Sequence, residues 1–211
     1  MKVVLKGRTP DQKKVIKYFC RSGGCLSKCM SDQEYESMVM AQAKNIDFKK
    51  KALEKIGLDE SQVSEVAPIH FEDYWFGGDS EKDYNKFEII CGKDNVWRST
   101  AYQISWIFFS STQVYVYQYT FHMDEDVKKE QTEEYFYQDI TNFSTTSDTV
   151  EKEVVGKVSC LGKITNVRSM VDTNRFALIV PGHKFYCAMK QSDYTEKAIQ
   201  GMKAKLREKK G

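Results

Sequence analysis

Residues 99–123 constrain this chain more than any other stretch, because large apolar side chains recur there at every second position. Tyr102, Ile104, Trp106 and Phe108 alternate with Gln103, Ser105, Ile107 and Phe109. After the short polar Ser110-Ser111-Thr112, Tyr115, Tyr117, Tyr119 and Phe121 share one face, with Val114 and Val116 on the other. A period of two throws successive side chains to opposite faces of a strand. Two such runs joined by three polar residues predict an antiparallel hairpin, although no glycine specifies its turn type.

Ahead of this hairpin the period is helical. Thr9-Pro10 is an N-cap followed by proline at the first helical position, and Val15, Ile16 and Phe19 form a narrow stripe stopped at Gly23-Gly24. Ser31 with Glu34 is a capping box, and Tyr35, Met38 and Val39 follow at helical spacing. Phe48, Ala52, Leu53 and Ile56 make a further helix ended by Gly57, and 59–65 adds a helical turn. The expected organisation is a helical N-terminal subdomain over 1–65 and a β domain over 66–211.

Within the β domain, 68–76 reads as extended and Phe87–Cys91 as a short strand. The acidic stretch 124–133 reads as a loop, 134–145 as a strand, and 149–155 as a strand pairing back with it. The stretch 156–173 is ambiguous. Arg175–Val180 and Lys184–Met189 flank Pro181-Gly182, the centre of a type II turn, and so predict a second hairpin. The chain ends in a helix capped at Asp193, with Thr195, Ala198, Ile199, Met202 and Leu206 as its apolar stripe.

Antiparallel strands over 87–190 closed by one amphipathic helix follow the order of the pleckstrin-homology superfold. Tyr102-Gln-Ile-Ser-Trp106, Gln113-Val-Tyr-Val-Tyr117, Glu134-Tyr-Phe-Tyr-Gln-Asp-Ile140 and Ala198-Ile-Gln-Gly-Met-Lys203 resemble uncharacterised bacterial proteins with a pleckstrin-homology-like domain. The resemblance covers roughly 87–210 and implies an α+β fold: a helical N-terminal segment, then an antiparallel β-barrel or sandwich capped by the C-terminal helix. Its motifs are core and turn patterns, so they imply no chemistry. Phosphoinositide-binding members carry spaced basic residues around the loop joining their first two strands, and Ser110-Ser111-Thr112 has none.

Composition excludes several classes. The longest apolar runs, such as Phe176–Val180 and Trp106–Phe109, are far short of the roughly 18–20 residues of a spanning helix. With 41% hydrophobic and 13% aromatic residues the chain is too apolar to be disordered. Only Val3, Val4 and Leu5 precede Lys6-Gly7-Arg8, too few for a signal peptide, so the six cysteines are expected to be reduced thiols of a cytoplasmic protein. Cys20, Cys25 and Cys29 have no fourth zinc ligand nearby. His70, His122 and His183 are scattered, and His183 with Cys187 lacks any catalytic signature. The acids around Asp124–Asp126 lack the calcium-loop order. No catalytic residue, metal or cofactor is expected, and no enzymatic activity.

Two binding readings remain. The first is a non-enzymatic intracellular module that binds protein or associates with itself, with Tyr115, Tyr117 and Tyr119 as the self-association face if the row is exposed. The absence of Lys or Arg between Gln113 and Met123 argues against nucleic acid. The alternative is peripheral binding to anionic lipid through Lys13, Lys14, Lys17 and Arg21. Residues 1–30 hold eight basic and one acidic residue, +7, while 31–97 hold eight basic and fifteen acidic, −7. The competing expectation is that the first segment is neutralised by the second.

Overall fold

The structure, a computed structural model, describes residues 5–20, 30–77, 87–158 and 164–211, with 155–158 and 164–166 described by backbone alone. The first two helices start, and the third ends, where their cap signals place them. α1 (Pro10–Phe19) starts with Thr9 accepting from the Gln12 N–H while the Gln12 side chain accepts from the Thr9 N–H. Ser31 and Glu34 do the same for α2 (Asp32–Lys44). α3 (Phe48–Ile56) is capped by Asp47 and ends at Gly57, whose φ of +80° suits a residue without Cβ. A single 3-10 turn, Glu60–Val63, leads into the sheets.

The described residues then make nine strands: β1 (Val66–Tyr74), β2 (Ile89–Cys91), β3 (Trp97–Ser99), β4 (Ala101–Phe109), β5 (Gln113–His122), β6 (Lys128–Phe136), β7 (Asn142–Val158), β8 (Ile164–Val180) and β9 (His183–Ala188). They form three antiparallel sheets ordered β1-β4-β5-β6, β2-β3 and β7-β8-β9, followed by α4 (Asp193–Lys210). The fold is α+β with a C-terminal helix as expected, but the sheets do not close into a barrel. α4 is capped by Ser192 with Thr195, one residue earlier than its Asp193–Glu196 pattern predicts.

The alternation of β4 and β5 works out as one sheet buried on both faces. Tyr102, Ile104, Phe108, Tyr115, Tyr117, Tyr119 and Phe121 pack with Val15, Phe19, Tyr35, Val39, Phe48 and Leu53 of the helices. On the reverse face Ile107, Phe109, Val114 and Val116 pack with Phe143, Phe176, Leu178 and Phe185 of the second sheet and Ile199, Met202 and Leu206 of α4. The helix-to-strand change near residue 65 is real, yet the first core runs across it: the helices have no core apart from the sheet.

A polar seam sets how the second sheet docks. Gln103 and Gln118, both buried, face β9. Gln103 Oε1 accepts from the Ala188 N–H at 2.7 Å, and Gln118 Nε2 donates to the Tyr186 carbonyl at 2.8 Å. These side chains satisfy backbone groups on the edge of β9 that would otherwise be buried without partners.

Three strand expectations need correction. Residues 128–133 are strand rather than loop, part of β6, which pairs from Gln113↔Phe136 to Phe121↔Lys128. β6 is an outer strand, and lysine and glutamate on such an edge discourage further pairing while hiding the strand from a hydrophobic reading. The expected strand 134–145 is broken by a turn at 137–139. Residues 149–155 pair with β8 instead, in a long arm that takes up the ambiguous stretch 164–173. The Pro181-Gly182 hairpin forms as predicted, with Gly182 at φ +79°.

Candidate binding cleft

The residues singled out from sequence are mostly accounted for inside the molecule. Tyr115, Tyr117 and Tyr119 are buried under the helices, with Tyr117 wholly enclosed. Tyr117 donates to Glu130 Oε1 at 2.7 Å, and Lys51 lies 4.3 Å over the Tyr119 ring. The row is therefore core, and it is not available as a self-association face in the folded chain. Its burial follows from the three helices that cover it.

On α1, Val15 and Phe19 are in the same core, so the apolar stripe that a bilayer would need is already covered. Lys14 pairs with Asp11 at 2.8 Å, Lys17 is exposed, Lys13 is half-buried, and Arg21 lies outside the described residues. The segment before α1 meets acids from an unexpected quarter. Arg8 pairs with Glu125 at 2.8 Å, and Gln12 donates to Asp126 at 2.8 Å, both in the β5–β6 loop rather than in 31–97.

Cys20 and Cys187 are buried, and burial pushes their thiols up to about 11 and about 12. Such thiols are poor nucleophiles at neutral pH. His183 reaches Glu133 at 3.1 Å on the surface, whereas Cys187 faces the interior. Cys25, Cys29 and Cys160 lie outside the described residues, among which no group of three metal-type ligands occurs.

What sequence reasoning missed is centred on β1 and the β2–β3 hairpin. Arg98 on β3 is 2% exposed. It donates from Nη1 to Asp94 Oδ1 at 2.8 Å, from Nη2 to Asp94 Oδ2 at 2.7 Å, and from Nη2 to Glu36 Oε2 at 3.3 Å. This bidentate pairing holds the Asp94 carboxyl down to about 2. Beside it Asp32 accepts from the Tyr18 hydroxyl at 2.8 Å and from the Lys93 N–H at 2.7 Å, tying α1, α2 and the hairpin together.

Next to this socket a cleft of about 510 Å³ opens between α2, β1, the hairpin and the start of α4. Glu36 and Met40 line one wall, with Asn95, Val96 and Trp97 beside them; Lys190, Ser192, Tyr194 and Thr195 line another, with Asp172 of β8. Five successive residues of β1, His70 to Tyr74, run through it. Four carboxylates, Glu36, Glu72, Asp73 and Asp172, thus line the cleft, and among the described residues its one lysine is Lys190. Burial pushes the Asp73 carboxyl up to about 6, with Glu72 and Glu36 adding to it and the Tyr74 N–H and Lys190 opposing it.

Aromatic side chains complete the lining. Tyr194 lies tilted 5.6 Å from His70, which stacks 5.0 Å from Trp106, while Tyr194 and Val96 are each about half exposed. Tyr74 is 8% exposed, and its hydroxyl has no hydrogen-bond partner. Carboxylates and ring faces together attract cations. The one sequence signal was Glu72-Asp73, two acids inside an otherwise apolar strand, and its meaning needed the neighbours from α2, β8 and α4.

No helix among the described residues is long and apolar enough to cross a membrane. Comparison with protein-family models, with curated proteins and with solved structures found no match.

Proposed function

We propose that this chain is a non-enzymatic interaction module of the cytoplasm, and that its ligand is a cationic group held in the β1 cleft. The observation that carries this reading is the surplus of carboxylates there: Glu36, Glu72, Asp73 and Asp172 surround a concave space to which, among the described residues, Lys190 alone of the lysines and arginines contributes. Its volume lies within the roughly 300–1,000 Å³ of ligand sites. The buried thiols of Cys20 and Cys187 suit a reducing compartment. A four-stranded meander interrupted only by the β2–β3 hairpin, then a three-stranded meander and one helix, supports kinship with the pleckstrin-homology superfold.

The test is a titration followed by amide chemical shifts, using oligolysine and oligoglutamate of equal length. Oligolysine is expected to move resonances of residues 70–74, 95–97 and 190–195, and oligoglutamate to leave them in place. Equal response to both peptides, or movement confined to other surfaces, would overturn the reading.

A further inference from the structure

The way β1 lines the cleft narrows the class of ligand. Side chains alternate along a strand, so a pocket over one face of a sheet touches every second residue. Here consecutive residues contribute: His70, Glu72 and Tyr74 from the face that meets the helices, Phe71 and Asp73 from the face that meets the second sheet. Only a cleft running along the edge of the strand touches both sets. Tyr194 fits this geometry, because it comes from α4, packed on the second-sheet face, yet its ring touches His70 of the other face.

β1 is also an outer strand. β4 pairs with it on one side, and no described strand pairs with it on the other. Natural edges are blunted by proline and irregular register. The first half of β1 has both, Pro68 and a register shift between Val66 and Ile69, whereas the cleft stretch 70–74 has regular pairing and no proline. The open part of the edge therefore coincides with the acidic cleft. At its floor the Tyr74 hydroxyl is buried with no hydrogen-bond partner, beside the Arg98 guanidinium.

We infer that the occupant is a basic, extended segment of a partner protein, added to the four-stranded sheet as a fifth strand along β1. This rests on the cation-binding reading above and adds the manner of binding. Backbone pairing with 70–73, short of the Tyr74 N–H that Asp73 Oδ1 binds at 2.8 Å, gives the segment its register. Alternate side chains then meet Glu36 and Glu72 on one face and Asp73 and Asp172 on the other, with Tyr194 and Trp97 covering their aliphatic stems.

The experiment uses the full chain and a fluorescent peptide of lysine and threonine with the nine residues of β1. Two further versions carry N-methyl groups on alternate amides, one on odd and one on even positions. A paired strand turns only one of these sets toward β1. One methylated version is expected to lose at least about tenfold in affinity and the other to stay within about threefold, the loss of several backbone hydrogen bonds. The double variant Glu72→Gln with Asp172→Asn is expected to weaken the parent peptide roughly five- to tenfold, and less so at high salt.

Failure takes two distinguishable forms. If both methylated peptides bind like the parent while the double variant still weakens binding, the cleft holds cations without strand addition, and this inference is wrong. If the parent peptide does not bind at all to a chain whose circular dichroism is intact, both the inference and the cation-binding reading are wrong.

Discussion

The Arg98 socket and the β1 cleft lie side by side and share Glu36, yet they treat the same chemistry in opposite ways. In the socket, carboxylates converge on a cation from within the chain: Arg98 is enclosed and bidentate to Asp94, whose carboxyl is held near 2. In the cleft, Glu72 and Asp73 line open space together with Glu36, which also meets Arg98, and Asp172, which also meets Thr149, and the carboxyl of Asp73 is raised to about 6 by burial instead of lowered by a partner. The socket is a finished internal site that fastens α2 to the hairpin. The cleft has the acidic half of a comparable site, and the basic half has to come from outside.

The sharpest way to break the comparison is to empty the socket. Arg98→Met leaves Asp94 and Glu36 facing each other with no cation between them. Removing one partner of a buried pair costs about 3–5 kcal/mol. Asp94 and Glu36 both reach solvent, so the expected loss is about 3 kcal/mol, read as a lower urea midpoint with unchanged slope. A loss below about 1 kcal/mol would mean that the socket contributes little and that the contrast with the cleft is only geometric.

A smaller perturbation presses on the socket from the backbone. A Cβ on Gly92 would fall 2.5 Å from Arg98 Nη1, 2.5 Å from Asp94 Oδ1 and 2.9 Å from Asp32 Oδ2. All three are side-chain ends, so Gly92→Ala can be accommodated, but only by spoiling the bidentate geometry. The expected cost is about 1–2 kcal/mol. In the Arg98→Met background the same change should cost markedly less, and a double-mutant cycle measures that coupling. Additive effects would show that Gly92 is crowded by something other than the ion pair.

The uneven legibility of these regions in the sequence has a physical origin. β4 and β5 are legible because their two faces meet different apolar layers, so the alternation is strong and uninterrupted. The caps at Thr9, Ser31 and Gly57 and the Pro181-Gly182 turn are legible because a backbone requirement is met within four residues of chain. β6 and the β7–β8 arm are not, since their outer faces are solvated: Ser147 with Asn174 and Thr149 with Asp172 form polar cross-strand pairs that carry no hydrophobic period. The tyrosine row showed its strand but not its cover, because nothing local to 113–123 says which layer packs on it. The cleft is hardest of all. Glu36, Glu72, Asp172 and Tyr194 are brought together only by the docking of α2, β1, β8 and α4, and each alone looks like an ordinary solvated side chain.

The finest test of the comparison sets the two aspartates against each other in pH. Asp94, with its carboxyl held to about 2, contributes stability that is present above its unfolded value near 3.8 and is lost as pH falls through about 2. Asp73 has the opposite sign. With its carboxyl raised from 3.8 to about 6, the folded state binds the proton more tightly than the unfolded chain does, so ionisation lowers stability as pH rises from about 4 to about 6. Asp73→Asn retains an acceptor for the Tyr74 N–H, which Asp73 Oδ1 now binds at 2.8 Å, and it removes the titration. Variant and wild type should therefore be equally stable near pH 4 and diverge in the variant's favour up to about pH 6. The difference should be about 1 kcal/mol or less, because the carboxylate is only half-buried. Urea midpoints at closely spaced pH values would read it. A variant that loses stability between pH 4 and 6 would mean that Asp73 already has a cation partner within the chain, and the cleft would then be a second finished socket rather than an open one.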